Sequence, residues 1–277
     1  MRAAASMTAS KQGATTMTER SVSVAGGQFK TDVIEEGKGQ PVLFLHGTFG
    51  LDADRFLNRL GDQYRVVAPR HPGYSGSTGS ERLLDINDLI YYYLDFLDAE
   101  GLRDLPIVGH SLGAMFAAEL AAVQPERFSK LVLMDSFGLW NPEYPVADFF
   151  AMMPRELGAT LYHDPESPTA QAASKPPEEN EAFIAYMLER AKSLATAAKY
   201  LWPIPNRGLN KRLHRISAPT LLIWGESDKL VPPRYGQDFQ AGIKGARLEL
   251  IKDAGHLPQV EQPDQLAETV LSFLGQK

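Results

Sequence analysis

Residues 105–122, LPIVGHSLGAMFAAELAA, decide how the rest of the chain is read. A short apolar run ends at Gly109-His110-Ser111-Leu112-Gly113, and an alanine-rich segment of good helix formers follows. A strand that turns abruptly into a helix puts the residue at the junction in strained backbone, and glycines on either side let neighbouring chain come close. The Ser111 hydroxyl is then held up at the C-terminal edge of a sheet. Beneath it lies the positive end of a helix dipole, where an oxyanion formed during acyl transfer is stabilised. The pentapeptide alone does not separate this reading from a tight turn with an exposed serine. The strand before it and the helix after it are the context the first reading requires.

Working outward, PVLFL (41–45), LVLM (131–134) and LLIW (221–224) are as uniformly apolar as LPIV (105–108), the pattern of parallel strands covered on both faces. YRVVAP (64–69) reads as another strand, and the more amphipathic ARLELI (246–251) as the next towards an edge. Ile86, Leu89, Ile90, Tyr93, Leu94 and Leu97 recur at helical spacing behind Asp85, which suits an N-cap. A last helix starts near Pro263 and puts Leu266, Val270, Phe273 and Leu274 on one side. SVSVAG and FKTDVIEEG, joined through Gly26-Gly27, predict an antiparallel hairpin at the sheet edge.

The prediction is therefore an α/β chain with a doubly wound, mostly parallel sheet. From Asp135 to Pro219 the chain runs far beyond the roughly dozen residues of a βα crossover. Residues 137–215 are accordingly predicted as a helical cap or lid between two parts of a core, 21–136 and 216–277. The cap contains a helix over 178–202, stopped by Pro203 and Pro205, and a polar, mobile stretch over 163–180. Residues 1–20, poor in acids and large hydrophobics and without the apolar core of a secretory signal, read as a disordered tail.

With 44% hydrophobic residues the chain can bury a sizeable core, and its net charge of −6 speaks against a general nucleic-acid or acidic-membrane binder. The absence of cysteine excludes disulfides, thiol nucleophiles and thiolate metal sites, and fits a reducing, cytoplasmic setting. No apolar run reaches the roughly 18 residues of a membrane span. The six histidines lack ligand spacing, so neither a metal nor another cofactor is expected. Gly73, Gly76 and Gly79 fit neither a dinucleotide fingerprint nor a phosphate loop. The basic stretch NRGLNKRLHR (206–215) reads as a solvated face returning from the cap. A small-molecule substrate is the expected partner, for a monomer or homodimer.

A serine hydroxyl attacks only when a base takes its proton, and the base must be oriented by an acid. His256 follows the 246–251 strand, where an imidazole can reach across the sheet edge. Asp228, in LLIWGESDKLVPP, follows a buried strand and is the first choice for the acid; Asp135 is second, with Glu226 a further rival. The backbone N–H of Leu112 and of Thr48, in the loop LHGTFG with Phe49 beside it, are the predicted oxyanion donors. His46 in that loop reads as structural. Phe49, Trp140, Phe149 and Met153 are candidate substrate contacts, although Trp140, Tyr144, Phe149, Phe150, Met152 and Met153 could equally form the cap's own core.

The motifs LHGTFG, PRHPGYSGST, GHSLG, WGESDKLVP and AGHLPQVEQP together resemble the α/β-hydrolase superfamily, with a cap, over roughly residues 21 to 275. His71 stands where many members carry aspartate before Pro-Gly and reads as a structural change. Members with dehalogenase or epoxide hydrolase activity use an aspartate nucleophile, so Ser111 speaks against both. The resemblance implies a cofactor-free serine hydrolase, and the expected substrate is a small or medium apolar carboxylic ester. Carbon–carbon hydrolysis of a ring-fission diketone, acyl transfer, and a non-catalytic binding role on the same shell are the alternatives.

Overall fold

The computed structural model describes residues 17–51, 55–204 and 206–276. Among them, eight strands form one sheet: β1 (Thr18–Val24), β2 (Phe29–Glu36), β3 (Pro41–Leu45), β4 (Arg65–Pro69), β5 (Leu105–His110), β6 (Phe128–Met134), β7 (Thr220–Gly225) and β8 (Arg247–Ile251). The spatial order is β1-β2-β4-β3-β5-β6-β7-β8. β2 runs against both its neighbours, and the strands from β4 to β8 are mutually parallel. The order reverses at β3, so the loops after β3 and β5 diverge and open a crevice at the C-terminal edge of the sheet.

The uniform apolarity of the central strands has the expected cause. Leu43 and Leu45 of β3 face one core and Val42 and Phe44 the other, as the two-residue period of a strand dictates. The first core packs α2 (Ile86–Ala99), α3 (Leu112–Val123) and α7 (Arg234–Gly242) through residues such as Tyr93, Phe116 and Phe239. The second packs α1 (Arg55–Gly61) and α9 (Pro263–Leu274) through Phe56, Leu60, Val270 and Phe273. Asp85 caps α2 by accepting from the N–H groups of Asn87 and Asp88.

Three further helices, α4 (Pro154–Leu161), α5 (Pro168–Ser174) and α6 (Asn180–Leu201), are inserted between β6 and β7, and the four-residue α8 (Pro258–Glu261) precedes α9. The helix expected over 178–202 is α6, and part of the stretch expected to be mobile is the helix α5. No helix of the described residues is long and apolar enough to cross a membrane.

Two expectations need correction. The stretch read as tail ends sooner, because β1 begins at Thr18 and pairs Thr18, Glu19 and Arg20 with Glu35, Ile34 and Val33. Arg20 also binds Glu35 at 2.8 Å and Glu100, so its charge is used in the fold. Residues 1–16 and Pro205 lie outside the described residues. The basic stretch 206–215 is docked as well as solvated. Arg212 holds the buried Glu119 of α3 through two bonds of 2.8 and 2.6 Å, and Arg215 donates to the Ala122 carbonyl. A helix as apolar all round as α3 is buried all round, and its one carboxylate needs such a partner.

Candidate active site

Ser111 sits between β5 and α3 with φ 56° and ψ −115°, a conformation that costs a non-glycine residue energy. Its N–H donates to the Met134 carbonyl at 2.8 Å, which ties the turn to β6. The flanking glycines are steric necessities. A Cβ on Gly109 would lie 2.5 Å from the Gly113 carbonyl oxygen, and one on Gly113 would lie 2.1 Å from that of Leu45.

The Ser111 Oγ lies 2.8 Å from His256 Nε2, and His256 Nδ1 lies 2.8 Å from Asp228 Oδ2. With Nδ1–H donating to the carboxylate, Nε2 is left to accept the serine proton. The other oxygen of Asp228 accepts the N–H groups of Leu230 and Val231 at 2.8 and 2.9 Å, which fixes the carboxylate. Ser111, Asp228 and His256 are 2%, 3% and 1% exposed, so these bonds are made out of reach of bulk water.

The rival acids are placed differently. Glu226 is exposed. Asp135 is fully buried beside Asp228; its Oδ1 accepts the Gly225 N–H at 2.9 Å and its Oδ2 has no partner among the described residues. Burial first, and the Asp228 charge second, push its carboxyl well above the ordinary range, which favours its protonated form. Donor atoms of Asp135, Asp228 and His256 lie within 4.8 Å of one another, the one such grouping of metal-ligand type among the described residues. A cation there would have to compete with the hydrogen bonds that already engage Asp228 and His256.

The loop after β3 is fixed by histidines. His46 Nδ1 donates to the Gly47 carbonyl at 2.8 Å, and the Gly50 N–H reaches the same oxygen at 3.2 Å. That carbonyl belongs to the peptide whose N–H is that of Thr48, so the orientation of that N–H is set from behind. His46 Nε2 accepts from the His71 N–H, the His71 ring stacks on His46 at 3.6 Å, and the Tyr93 hydroxyl bonds His71 Nδ1. Burial holds both imidazoles neutral, with His71 lowered to about 3 and His46 well below its ordinary value. Both histidines are structural, as expected. Leu112 is the first residue of α3, so its N–H has no intrahelical partner.

A cleft of about 1070 Å³ opens above Ser111 and His256, between the sheet edge and the inserted helices. Thr48 and Phe49 line it; Trp140, Phe149 and Met153 do not. Phe149 is buried behind Phe49, with ring centroids 6.4 Å apart, and Trp140 packs half-buried on the core. Met153 is 68% exposed at the start of α4. The apolar residues near 140–153 thus serve mainly as core and support.

A row of residues missed by sequence reading comes from α6. Phe183, Tyr186, Met187 and Arg190 all line the cleft, at the i, i+3, i+4, i+7 spacing that places side chains on one helix face. The Arg190 guanidinium lies 5.0 Å from the Phe49 ring and pairs with no carboxylate among the described residues, whereas Arg55, the other cation in the cleft, binds Asp264 at 2.7 Å.

Comparison with known proteins agrees with this geometry. A protein-family model described as alpha/beta hydrolase fold matches residues 40–263. The 2-hydroxy-6-oxo-6-phenylhexa-2,4-dienoate hydrolase of Comamonas testosteroni is 30% identical over 268 residues, covering 88% of this chain and 90% of its own. Lipase 1 of Psychrobacter immobilis is 28% identical, covering 92% and 83%. The esterase of Exiguobacterium antarcticum shares the fold, with a TM-score of 0.75 at 20% identity over 94% of this chain and 100% of its own. The chain is a hydrolase with a Ser-His-Asp arrangement, and it belongs to the α/β-hydrolase fold family.

Proposed function

We propose that the chain hydrolyses a carbon–carbon bond in a 2-hydroxy-6-oxo-dienoate, the kind of substrate named for its Comamonas relative. The observation that carries this reading is Arg190, a cation without a carboxylate partner among the described residues, in a cleft whose other walls include Phe49, Leu157, Leu161 and Met187. Such a cleft suits a molecule with an apolar flank and a carboxylate at a distance from the reacting carbonyl. The small apolar ester that the sequence puts first gives Arg190 nothing to bind.

In this reading the dienol first becomes its keto tautomer, moving the proton of the 2-hydroxyl to carbon 5. Ser111 Oγ then adds to the 6-carbonyl carbon while His256 Nε2 takes the serine proton, and Asp228 stabilises the imidazolium. The N–H groups of Thr48 and Leu112 receive the oxyanion. As it collapses, the bond between carbons 5 and 6 breaks and its electron pair passes through the enone to the 2-oxygen. The proton on His256 neutralises that oxygen, so a 2-hydroxydienoate leaves. Water, deprotonated by His256, releases the acyl group as a carboxylic acid and restores Ser111. The insertion acts as the cap that excludes water and selects the substrate.

Ester hydrolysis by the same residues is the second reading. It is favoured by the lipase relative and by the exposed Phe183 and Met187, at 41% and 46%, along the cleft. The test is turnover of 2-hydroxy-6-oxo-6-phenylhexa-2,4-dienoate beside p-nitrophenyl esters from acetate to palmitate, by the wild type and Ser111→Ala. Serine-dependent loss of the dienoate chromophore at a kcat/KM well above that for any ester is the expected result. The opposite ranking would give the ester reading precedence.

A further inference from the structure

Catalysis as proposed depends on His256, yet His256 lies in a loop between β8 and α8. Its backbone is tied on both sides. The His256 N–H donates to the Leu161 carbonyl at 2.7 Å, at the end of α4 in the insertion, and the His256 carbonyl accepts from His110 Nε2 at 2.8 Å. One residue earlier, the Gly255 N–H donates to Glu261 Oε2 at 2.7 Å. The other oxygen of that carboxylate, Oε1, accepts the N–H of His163 at 2.9 Å. Glu261 therefore bridges the histidine loop and the inserted segment. The two segments meet backbone to backbone, since a Cβ on Gly255 would lie 2.5 Å from the Leu161 carbonyl oxygen and 2.8 Å from the His163 nitrogen. In the motif AGHLPQVEQP the sequence gives a role to His256 alone; the geometry engages Gly255 and Glu261 too.

We propose that Glu261 is a positioning residue that clamps the His256 loop to the inserted segment 161–163, so that the insertion sets the geometry of the general base as well as covering the cleft. The proposal rests on the reading of Ser111, His256 and Asp228 as the reacting network. A carboxylate that accepts two backbone N–H groups makes two charge-assisted bonds, and glutamine, with a single acceptor oxygen, can satisfy only one of them. The freed peptide lets the imidazole drift, and proton transfer tolerates little misplacement. Glu261 also lines the cleft, so a direct contact with substrate would show in KM and a positioning role in kcat.

Glu261→Gln is compared with the wild type, Ser111→Ala and His163→Ala in two measurements. One is kcat and KM on the phenylhexadienoate or p-nitrophenyl butyrate; the other is the rate at which a saturating fluorophosphonate labels Ser111, which needs no acyl substrate. In Glu261→Gln both kcat and the labelling rate are expected to fall together, by about 10- to 100-fold, with KM nearly unchanged. His163→Ala keeps its backbone N–H and is expected to stay within about twofold of the wild type. A folded Glu261→Gln that is labelled at the wild-type rate, or that loses only in KM, overturns the proposal. A wild type that is not labelled, or a Ser111→Ala that still is, overturns the nucleophile reading instead. Should the glutamine variant fail to fold, Glu261→Asp, one methylene too short to reach both donors, gives the same two readouts.

Discussion

The C-terminal edge of the sheet and the inserted helices facing it are built on opposite terms. At the edge, Ser111, Asp228 and His256 are buried and bonded to one another, and His46 and His71 are locked behind them. Across the cleft, α6 exposes Phe183, Ile184, Met187 and Leu188, and Arg190 meets no carboxylate among the described residues. A buried, fully bonded network holds a single arrangement, while long apolar side chains on an exposed helix can repack around different ligands. On the reading proposed above, chemistry belongs to the edge and selection to the insertion, and substitutions on the two sides should then fail in different ways.

The largest losses are expected at the edge. Ser111→Ala and His256→Ala should each lower kcat by about 10⁶-fold without changing the fold, as measured by turnover beside circular dichroism. Asp228→Asn should cost up to ~10⁴-fold, because an amide in place of the carboxylate no longer fixes the imidazole tautomer. A near-wild-type Asp228→Asn beside an inactive Asp135→Asn would exchange the roles of the two acids.

On the insertion side the effect should be smaller and selective. Arg190→Gln removes the positive charge from the cleft wall, and KM for the phenylhexadienoate should rise about 10- to 100-fold, the worth of one charge-assisted bond. KM for p-nitrophenyl butyrate, which carries no carboxylate, should stay close to the wild type. Equal rises for both substrates would mean that Arg190 shapes the cleft through Phe49 and does not read charge.

The same division governs what the letters disclosed. The sheet was legible because its period, its glycines and its apolar strands are local signals. Ser111, Asp228 and His256 were legible because each follows such a strand. The cleft wall was not: Phe149 and Met153 are as apolar as Phe183 and Met187, and only the packing of α6 across the cleft decides which of them face it. Arg190 carries the helical spacing of its neighbours on α6, but nothing in the sequence says which helix face looks at Ser111. The end of the tail was misread for a related reason. Thr18–Arg20 lack apolar character, and their place in β1 is set by pairing with residues 33–35, a contact that no local pattern encodes.

At the sheet edge the smallest expected effect on turnover is at Asp135, and it sharpens the contrast between two carboxylates there. Asp228 is bonded on both oxygens, whereas burial and the Asp228 charge raise Asp135 above its ordinary value of 3.8 and favour its protonated form. The unfolded chain releases that proton once the pH passes this value, while the folded chain holds it. The contribution of Asp135 to stability is therefore complete below pH 3.8 and shrinks as the pH rises towards the folded value. An asparagine at this position has no proton to lose, can still accept the Gly225 N–H, and tolerates the φ of 48° found here. Asp135→Asn should thus gain in Tm over the wild type by an amount that grows as the pH rises above about 4, with turnover within about tenfold, against ~10⁴ at Asp228. A Tm difference that is flat or shrinking with pH would mean that Asp135 is ionised in the folded protein, and that the network carries two negative charges beside one imidazole.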